Sequence, residues 1–153
     1  NECGILVDIS HLNDPCSLDV IAVSRQPVIA SHSNPRALSG SLRDIPDEVM
    51  RALAASGGVL GIMPPISRPP GPPPTGAGPL LQVARSEIDE TVQLVRYAVN
   101  MMGIDQVGIG THFNSASLPW VTYGLLEAGF SEAETAKIMG GNYLRVVRQV
   151  LPA

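Results

Sequence analysis

The sequence predicts an α/β fold built on a parallel sheet, and three observations lead to this class. Short apolar runs alternate along the chain with segments that have helical spacing. Four such runs occur, which indicates four strand-helix units with additional helices after the fourth strand. The chain has 153 residues, of which 44% are hydrophobic and 16% charged, so it can bury the core of one domain.

Composition and charge argue against two kinds of partner. The 10 Lys and Arg residues form no cluster, 14 Asp and Glu residues outnumber them, and aromatic residues make up only 4%. A nucleic-acid groove is therefore not expected. No apolar run reaches about 18 residues, so we expect no membrane span.

Cys3 and Cys16 are too few for a disulfide framework, and we expect both to be free thiols.

The first two strands frame the first helix. Residues 5–10 form a short, branched apolar run that ends in polar residues, which is typical of a buried strand. Asp14 and Pro15 then open a helix, because proline is favoured in a first turn. Residues 27–31 are the second predicted strand, and a polar loop follows over residues 33–43.

The second helix is predicted just after this loop. Asp44 can cap it, and Pro46 fits its first turn. Glycines at 57–58 end the helix and lead into a third strand at residues 59–63.

A proline-rich segment interrupts the alternation at residues 64–79, which hold 8 of the 14 prolines. Proline fixes φ and lacks a backbone donor, so neither helix nor inner strand is expected here. The segment follows a strand, and loops after strands emerge on the face where strand carboxyl ends meet. We therefore expect an irregular surface loop on that face.

The last strand is predicted between two helical regions. Ser86 and Asp89 have the spacing of a capping box, an apolar stripe at steps of three and four follows, and Gly103 ends that helix. Residues 107–110 form the fourth strand. Further helices are predicted to begin at Ser117 and at Ser131, the latter ending near Gly140, and a last helix covers residues 143–150.

The order of elements leaves two architectures open. Four strand-helix units can stand alone as a small doubly wound sheet with helices on both faces. They can also be half of an eight-stranded (β/α)8 barrel. Periodicity does not distinguish the two.

The chain has three histidines, His11, His32 and His112, and each lies just past the end of a predicted strand. In parallel α/β folds the carboxyl ends of the strands share one face, where ligands bind. Neutral imidazole is a common zinc ligand. The pattern therefore favours a metal site that includes His11 and His32, against the plainer reading of polar residues at strand ends.

The metal site is incomplete within this chain. A site with two metals needs a bridging carboxylate, and no acid lies at a strand end where it could bridge. Asp8, three residues before His11, is expected to be a buried structural acid or to support a ligand from behind. Arg43 in the polar loop is either a solvated cation or a clamp for a substrate carboxylate.

Five segments in order resemble the membrane (renal) dipeptidase family. Three of them end in the histidines: Gly-Ile-Leu-Val-Asp-Ile-Ser-His at 4–11, Pro-Val-Ile-Ala-Ser-His-Ser-Asn at 27–34 and Val-Gly-Ile-Gly-Thr-His-Phe-Asn at 107–114. Leu-Arg-Asp-Ile-Pro-Asp-Glu at 42–48 and Gly-Gly-Asn-Tyr-Leu-Arg-Val at 140–146 add to the match. The resemblance spans the chain except the proline-rich segment. It implies a zinc-dependent dipeptidase with an amidohydrolase-like (β/α)8 barrel, which cleaves dipeptides.

The resemblance implies roles for three residues. The matched segments correspond to strands five to eight, so the chain is the C-terminal half of such a barrel over residues 1–153, with extra C-terminal helices. The family's histidine ligands fall on His11 and His32. These two residues would hold one zinc ion, and the complete barrel would hold one or two. The family's arginine for the substrate carboxylate falls on Arg43.

Two departures from the family pattern bear on activity. The family's other ligands, a His-x-Asp on strand one and a bridging glutamate on strand three, belong to the half that is absent here. The family's strand-eight acids are replaced by His112, near the reacting water, and by Asn114. The alternative reading is therefore a divergent member whose chemistry is retuned or lost.

The resemblance also implies a partner. The chain begins Asn-Glu-Cys-Gly without Met, and we expect a fragment or a processed product that is inactive alone. Half a barrel leaves strand edges open, so we expect association with the missing N-terminal half or with a second copy of the chain.

Overall fold

The computed structural model describes residues 2–65, 85–111 and 117–151. The strands in these ranges are β1 (Ile29–Ser33), β2 (Val59–Ile62) and β3 (Val107–Ile109). The helices in the same ranges are α1 (Asp14–Val23), α2 (Arg36–Ser39), α3 (Asp47–Ala55), α4 (Arg85–Met102), α5 (Leu118–Glu127), α6 (Glu132–Ala136) and α7 (Asn142–Val150), with a 3₁₀ turn at Ile104–Gln106 and a π-helical stretch at Lys137–Gly141.

The three strands form one parallel sheet in the order β1-β2-β3. Ile29 pairs with Val59, and Leu60 pairs with Val107, so the strands begin at the same edge. The register of β1 against β2 shifts between Ala30 and Ser33. The predicted parallel α/β class is therefore confirmed.

The predicted first strand is wrong as a regular element. Residues 5–10 form a single parallel bridge, between Asp8 and Ile29, in which Ile29 N–H donates to the Val7 carbonyl at 2.9 Å. The ladder stops because the Ser31 N–H, the next donor, binds the Asp8 carboxylate at 2.9 Å. The segment therefore lies beside β1 without continuing the sheet.

Several helix ends follow the expected capping chemistry. The Asn13 side chain caps α1, Ser131 and Glu134 form a reciprocal capping box on α6, and Gly103 follows α4 with φ 94°. Asp44 does not cap α3 as predicted, because the residue before this helix is Pro46.

Two helix predictions need correction. The short helix α2 lies inside the predicted polar loop, where it ends at Gly40 with φ 67°. Ser86 lies within α4 rather than before it, because the described helix already begins at Arg85.

The sheet is covered on both faces. Successive side chains of a strand point to opposite faces. Val28 and Ala30 belong to the larger hydrophobic cluster, with residues of α3 and α4, whereas Ile29 belongs to a smaller one. The smaller cluster also contains Val59 of β2 and residues of α7, so α7 packs on the face opposite to α3 and α4.

Two polar side chains fix α7 at the end of the sheet where the strands begin. Asn142 is buried and donates from Nδ2 to the carbonyls of Ile104, at 2.8 Å, and Val107, at 2.7 Å. Arg145 donates to the carbonyls of Gly57 and Asp105, just before β2 and β3. The Gly-Gly-Asn segment thus turns the chain across the starts of these strands.

Other expectations concern the surface. Cys3 and Cys16 are free and exposed. Among the described residues, no helix combines the length and the apolar character that crossing a membrane would require. Residues 66–84, which hold most of the proline-rich segment, lie outside the described ranges, so the predicted surface loop is not tested.

Candidate functional site

Two of the three histidines meet at the end of the sheet where the strands terminate. His32 lies in the last part of β1, and His11 follows the segment that bridges to β1. Their Nε2 atoms are 3.0 Å apart, and their ring planes are inclined by 62°. His112 lies outside the described residues, so its position relative to this pair is not described.

The backbone at His11 has an uncommon conformation. Its φ is 71°, and among the described residues it is the one non-glycine residue with positive φ. An L-residue there carries about 1–2 kcal/mol of strain. Strained residues of this kind concentrate at functional sites. The turn that brings the imidazole of His11 to His32 therefore has an energetic cost.

Arg43 reaches the same place from the loop between α2 and α3. Its Nη2 lies 3.1 Å from His11 Nε2, and its Nη1 lies 3.6 Å from the buried carboxylate of Asp44. Asp44 accepts hydrogen bonds from the Asn34 N–H at 3.0 Å and the Ser33 hydroxyl at 3.3 Å. The Asp44 carboxylate therefore holds the guanidinium of Arg43 near β1.

A second arginine holds this loop in shape. Arg36 makes two hydrogen bonds of 2.7 Å to the Asp14 carboxylate, which joins the loop to α1. It also donates to the carbonyls of Asp44 and Leu42, on both sides of Arg43. Hydrogen bonding from Arg36 lowers the pKa of Asp14. The loop is thus tied to the helix beside it.

Behind the histidines, Asp8 gathers three donors. Its carboxylate accepts hydrogen bonds from the N–H groups of Ser10 and Ser31, both at 2.9 Å, and from the Ser31 hydroxyl at 2.5 Å. Burial acts to raise the pKa of Asp8, but the hydrogen bonds from Ser31 and Ser10 together outweigh it and lower the pKa. Asp8 is therefore a carboxylate at neutral pH, held against β1.

Tyr143 of α7 reaches the same strand from the opposite end of the sheet. Its hydroxyl donates to the Ser31 carbonyl at 2.9 Å, and burial raises the pKa of the phenol. The ring lies over Gly61 and Gly108, where any Cβ would collide with it. Glycines inside the predicted strands were the available signal for this close approach, but they did not identify Tyr143.

The chemistry of the donor set fits part of a zinc site. Zinc binds imidazole nitrogen at about 2.0–2.1 Å, so two such ligands in tetrahedral geometry lie about 3.3 Å apart. The observed 3.0 Å between His11 and His32 is close to that separation. Within residues 2–65, 85–111 and 117–151, no group of three or more His, Cys, Asp or Glu side chains could hold a metal. The two histidines could supply part of a ligand set, and further ligands would have to come from elsewhere.

Comparisons with known proteins agree on one family. The family model for membrane dipeptidase (peptidase family M19) matches residues 1–152. Dipeptidase tcpJ of Claviceps purpurea strain 20.1 is 30% identical over 163 residues, a match that covers 98% of this chain and 36% of that protein. The chain thus spans about a third of this relative's length.

Solved structures give the same result. The crystal structure of the probable dipeptidase PvdM from Pseudomonas aeruginosa has a TM-score of 0.78 at 28% identity, over 96% of this chain and 50% of that one. A metallopeptidase of family M19, dipeptidase AC, has a TM-score of 0.81 at 24% identity, over 100% of this chain and 46% of that one, and supports the fold alone. The family model, matched over residues 1–152, shows that the chain belongs to the membrane dipeptidase family, peptidase family M19.

Proposed function

We propose that this chain forms the C-terminal half of a (β/α)8 metallodipeptidase barrel and that the complete protein hydrolyses dipeptides with zinc. One observation carries the proposal. The Nε2 atoms of His11 and His32 lie 3.0 Å apart at the carboxyl end of the sheet, with the guanidinium of Arg43 3.1 Å from His11. A metal-ligand pair beside a fixed cation suits a substrate that carries a scissile carbonyl and a free carboxylate.

Each residue has a distinct task in this proposal. His11 and His32 would hold one zinc ion through their Nε2 atoms, and the complete protein would hold one or two such ions. A bound zinc ion supplies a water of lowered pKa and polarises a carbonyl oxygen. Arg43 binds the substrate's terminal carboxylate through two parallel N–H donors and so sets the distance from that carboxylate to the peptide bond. Asp44 holds the guanidinium in place for this contact.

The remaining ligands would come from an N-terminal half-barrel, or from a second copy of the chain that completes the barrel. The chain spans about half the length of the solved structures it matches, which supports this part of the proposal. In the described part of the sheet β3 is an outer strand, so its free edge could pair with a strand of the missing half.

Replacing Arg43 by Met should separate carboxylate recognition from the rest of catalysis. A charge-assisted hydrogen bond contributes about 1.5–3 kcal/mol, so kcat/KM for a dipeptide should fall by about 10- to 150-fold. The kcat/KM for the same dipeptide with a C-terminal amide should change by less than about threefold. Steady-state kinetics of the intact, zinc-loaded protein on both substrates measure the difference.

Arg51 provides the matched control for this experiment. It is an exposed arginine of α3 whose contact is a 3.9 Å ion pair with Asp47. Arg51→Met should leave both substrates unaffected. Equal losses on the dipeptide and the amide in Arg43→Met would contradict carboxylate binding, and an intact wild-type protein that hydrolyses no dipeptide with zinc would contradict the activity itself.

The second candidate function is a retuned or non-catalytic member of the family, and one observation favours it. The residues that match the family's strand-eight acids are His112 and Asn114. A neutral imidazole does not supply the negative charge that a carboxylate brings to two dications. Such a protein would bind at most one zinc ion tightly.

His112→Asp distinguishes the two functions. If the imidazole deprives the site of a negative charge, the substitution should raise the zinc content, which atomic absorption measures. It should also raise the rate of dipeptide hydrolysis by about tenfold or more. A fall in turnover at constant zinc content would instead identify His112 as a working proton acceptor. If neither quantity changes, the alignment of His112 with the strand-eight acid is wrong.

A further inference from the structure

A hydrogen-bond chain reaches His32 on the side facing away from His11. The Ser31 hydroxyl lies 2.8 Å from His32 Nδ1 and 2.5 Å from the Asp8 carboxylate. Neighbouring side chains of a regular strand point to opposite faces and would not meet. The register shift between Ala30 and Ser33 lies at this point of β1, and there the hydroxyl reaches the ring of the next residue.

The protons along this chain have one consistent arrangement. Ionised Asp8 only accepts, so the single proton of the Ser31 hydroxyl must lie on the short bond to Asp8. The Ser31 oxygen then accepts from His32 Nδ1–H. If the hydroxyl pointed at His32 instead, two acceptor oxygens would face each other at 2.5 Å without a proton. His32 is therefore protonated at Nδ1, with its Nε2 lone pair toward His11.

Ser10 completes the arrangement. Its hydroxyl oxygen accepts a hydrogen bond from the backbone N–H of His32 at 3.1 Å and lies 3.2 Å from the Ser31 hydroxyl oxygen. Ser10 can therefore donate to the second lone pair of Ser31, which uses the full capacity of that hydroxyl, with one proton donated and two accepted. Each atom from the Asp8 carboxylate to His32 Nδ1 then has a partner of the right kind. On the far side of the ring, Arg43 can only donate to His11 Nε2, so the Nε2 lone pairs of His11 and His32 face each other at 3.0 Å, an arrangement that a shared cation would satisfy.

We propose that Asp8 and Ser31 are positioning residues that hold His32 in its Nδ1-protonated tautomer, so that its Nε2 can present a lone pair to a metal ion. The metal part of this statement rests on the proposed function; the tautomer does not. Metal-binding histidines are commonly oriented by an acceptor on the other ring nitrogen, and loss of that acceptor lowers metal affinity by about 10- to 100-fold. In this chain a serine connects the ring to the carboxylate.

Asp8→Asn should reverse the tautomer. The Asp8 oxygen that accepts the two backbone N–H groups must remain an acceptor, so the new amide nitrogen faces the Ser31 hydroxyl and donates to it. The hydroxyl proton then turns to His32 Nδ1, and the ring is protonated at Nε2. Zinc affinity should fall by about 10- to 100-fold.

The tautomer is measured by ¹⁵N NMR of the intact, metal-free protein, at a pH where the imidazole is neutral. Wild-type His32 should show Nδ1–H, Asp8→Asn should show Nε2–H, Ser31→Ala should lose the preference, and Ser31→Thr should keep it. Ser33→Ala is the matched control, because Ser33 lies on the same strand but its hydroxyl bonds Asp44. It should leave the tautomer unchanged.

Two results would overturn the proposal: wild-type His32 protonated at Nε2, or the same tautomer in wild type and Asp8→Asn. The wild-type spectrum tests it even where a variant fails to fold. If the tautomer reverses as expected but wild type binds no zinc, the hydrogen-bond chain stands and the proposed metal site is wrong. Zinc bound by wild type with equal affinity in Asp8→Asn would refute the positioning role alone.

Discussion

Gly61→Ala should destabilise the intact protein by about 4 kcal/mol, above the range usual for overpacking. Overpacking usually costs about 1–3 kcal/mol, because side chains around the new methyl group can move. A Cβ at Gly61 would overlap the Tyr143 hydroxyl and also the backbone carbonyl of Ser31 on the neighbouring strand. Since β1 and β2 are hydrogen-bonded, the second overlap can be relieved only by separating the strands. Urea denaturation gives the change in free energy of unfolding.

Gly108→Ala provides the comparison. The three atoms nearest to a Cβ there belong to side chains: Tyr143 Cε2 at 2.6 Å, Tyr143 Cδ2 at 2.9 Å and Val59 Cγ1 at 3.3 Å. The ring can shift, so we expect a loss of about 1–3 kcal/mol. Combining Gly108→Ala with Tyr143→Leu should recover at least about 1 kcal/mol in a double-mutant cycle.

A double-mutant cycle at Gly61 shows which of the two overlaps is responsible for the loss of stability. Tyr143→Phe removes the hydroxyl but leaves the Ser31 carbonyl in place, so it should recover only a minor part of the Gly61→Ala loss. Full recovery would show that the phenol alone occupies the space over Gly61. The close packing of β1 against β2 would then not be what requires glycine at this position.

The sequence predicted the fold class because the signals for it are local. Apolar runs at 59–63 and 107–110 correspond to β2 and β3, and the Ser131 capping box depends only on contacts within four residues. Residues 5–10 have the same apolar pattern yet form one bridge, because a side chain, Asp8, takes the backbone donor that would have continued the ladder. Hydrophobic patterning contains no information about that competition.

The meeting of His11, His32 and Arg43 at one strand end was predictable from the sequence, whereas the placement of His112 stays a prediction because it lies outside the described residues. Histidines after strands indicated a common face, and the structure brings His11, His32 and Arg43 together there. The positive φ of His11 and the register shift in β1 are settled by tertiary contacts, and neither has a sequence signal. Both decide which way an imidazole points, so the geometry of the site could not be predicted from residue types.

Tyr143 illustrates a different limit. It lies 112 residues from Ser31 along the chain, and no periodicity links the two. The resemblance to the dipeptidase family included the segment 140–146 but assigned it no role. In the structure this segment starts α7, the helix that covers the sheet face opposite to α3 and α4. The phenol of Tyr143 donates a hydrogen bond to the carbonyl of Ser31, the residue that precedes His32. Strand β1 therefore both carries His32 and accepts the hydrogen bond that anchors α7 through Tyr143.

His11→Gly should reduce function and leave the fold intact or more stable. If His11 is the zinc ligand proposed above, dipeptide hydrolysis should fall at least about 1,000-fold, because loss of a zinc ligand removes several kcal/mol of transition-state stabilisation. Glycine adopts the φ of 71° without the strain of about 1–2 kcal/mol, and its greater unfolded-state entropy offsets about 0.5–1 kcal/mol of that gain. The metal-free variant should therefore be as stable as wild type or up to about 1.5 kcal/mol more stable.

His11→Ala is the matched control, because it removes the same imidazole but keeps a Cβ in the left-handed region. Both variants should lose hydrolysis equally, whereas His11→Ala should be about 1 kcal/mol less stable than His11→Gly in urea denaturation of the metal-free intact protein. Equal stability of the two would mean that the backbone at position 11 is not strained. Hydrolysis retained in either variant would mean that His11 holds no metal, and would contradict the metal site proposed for His11 and His32.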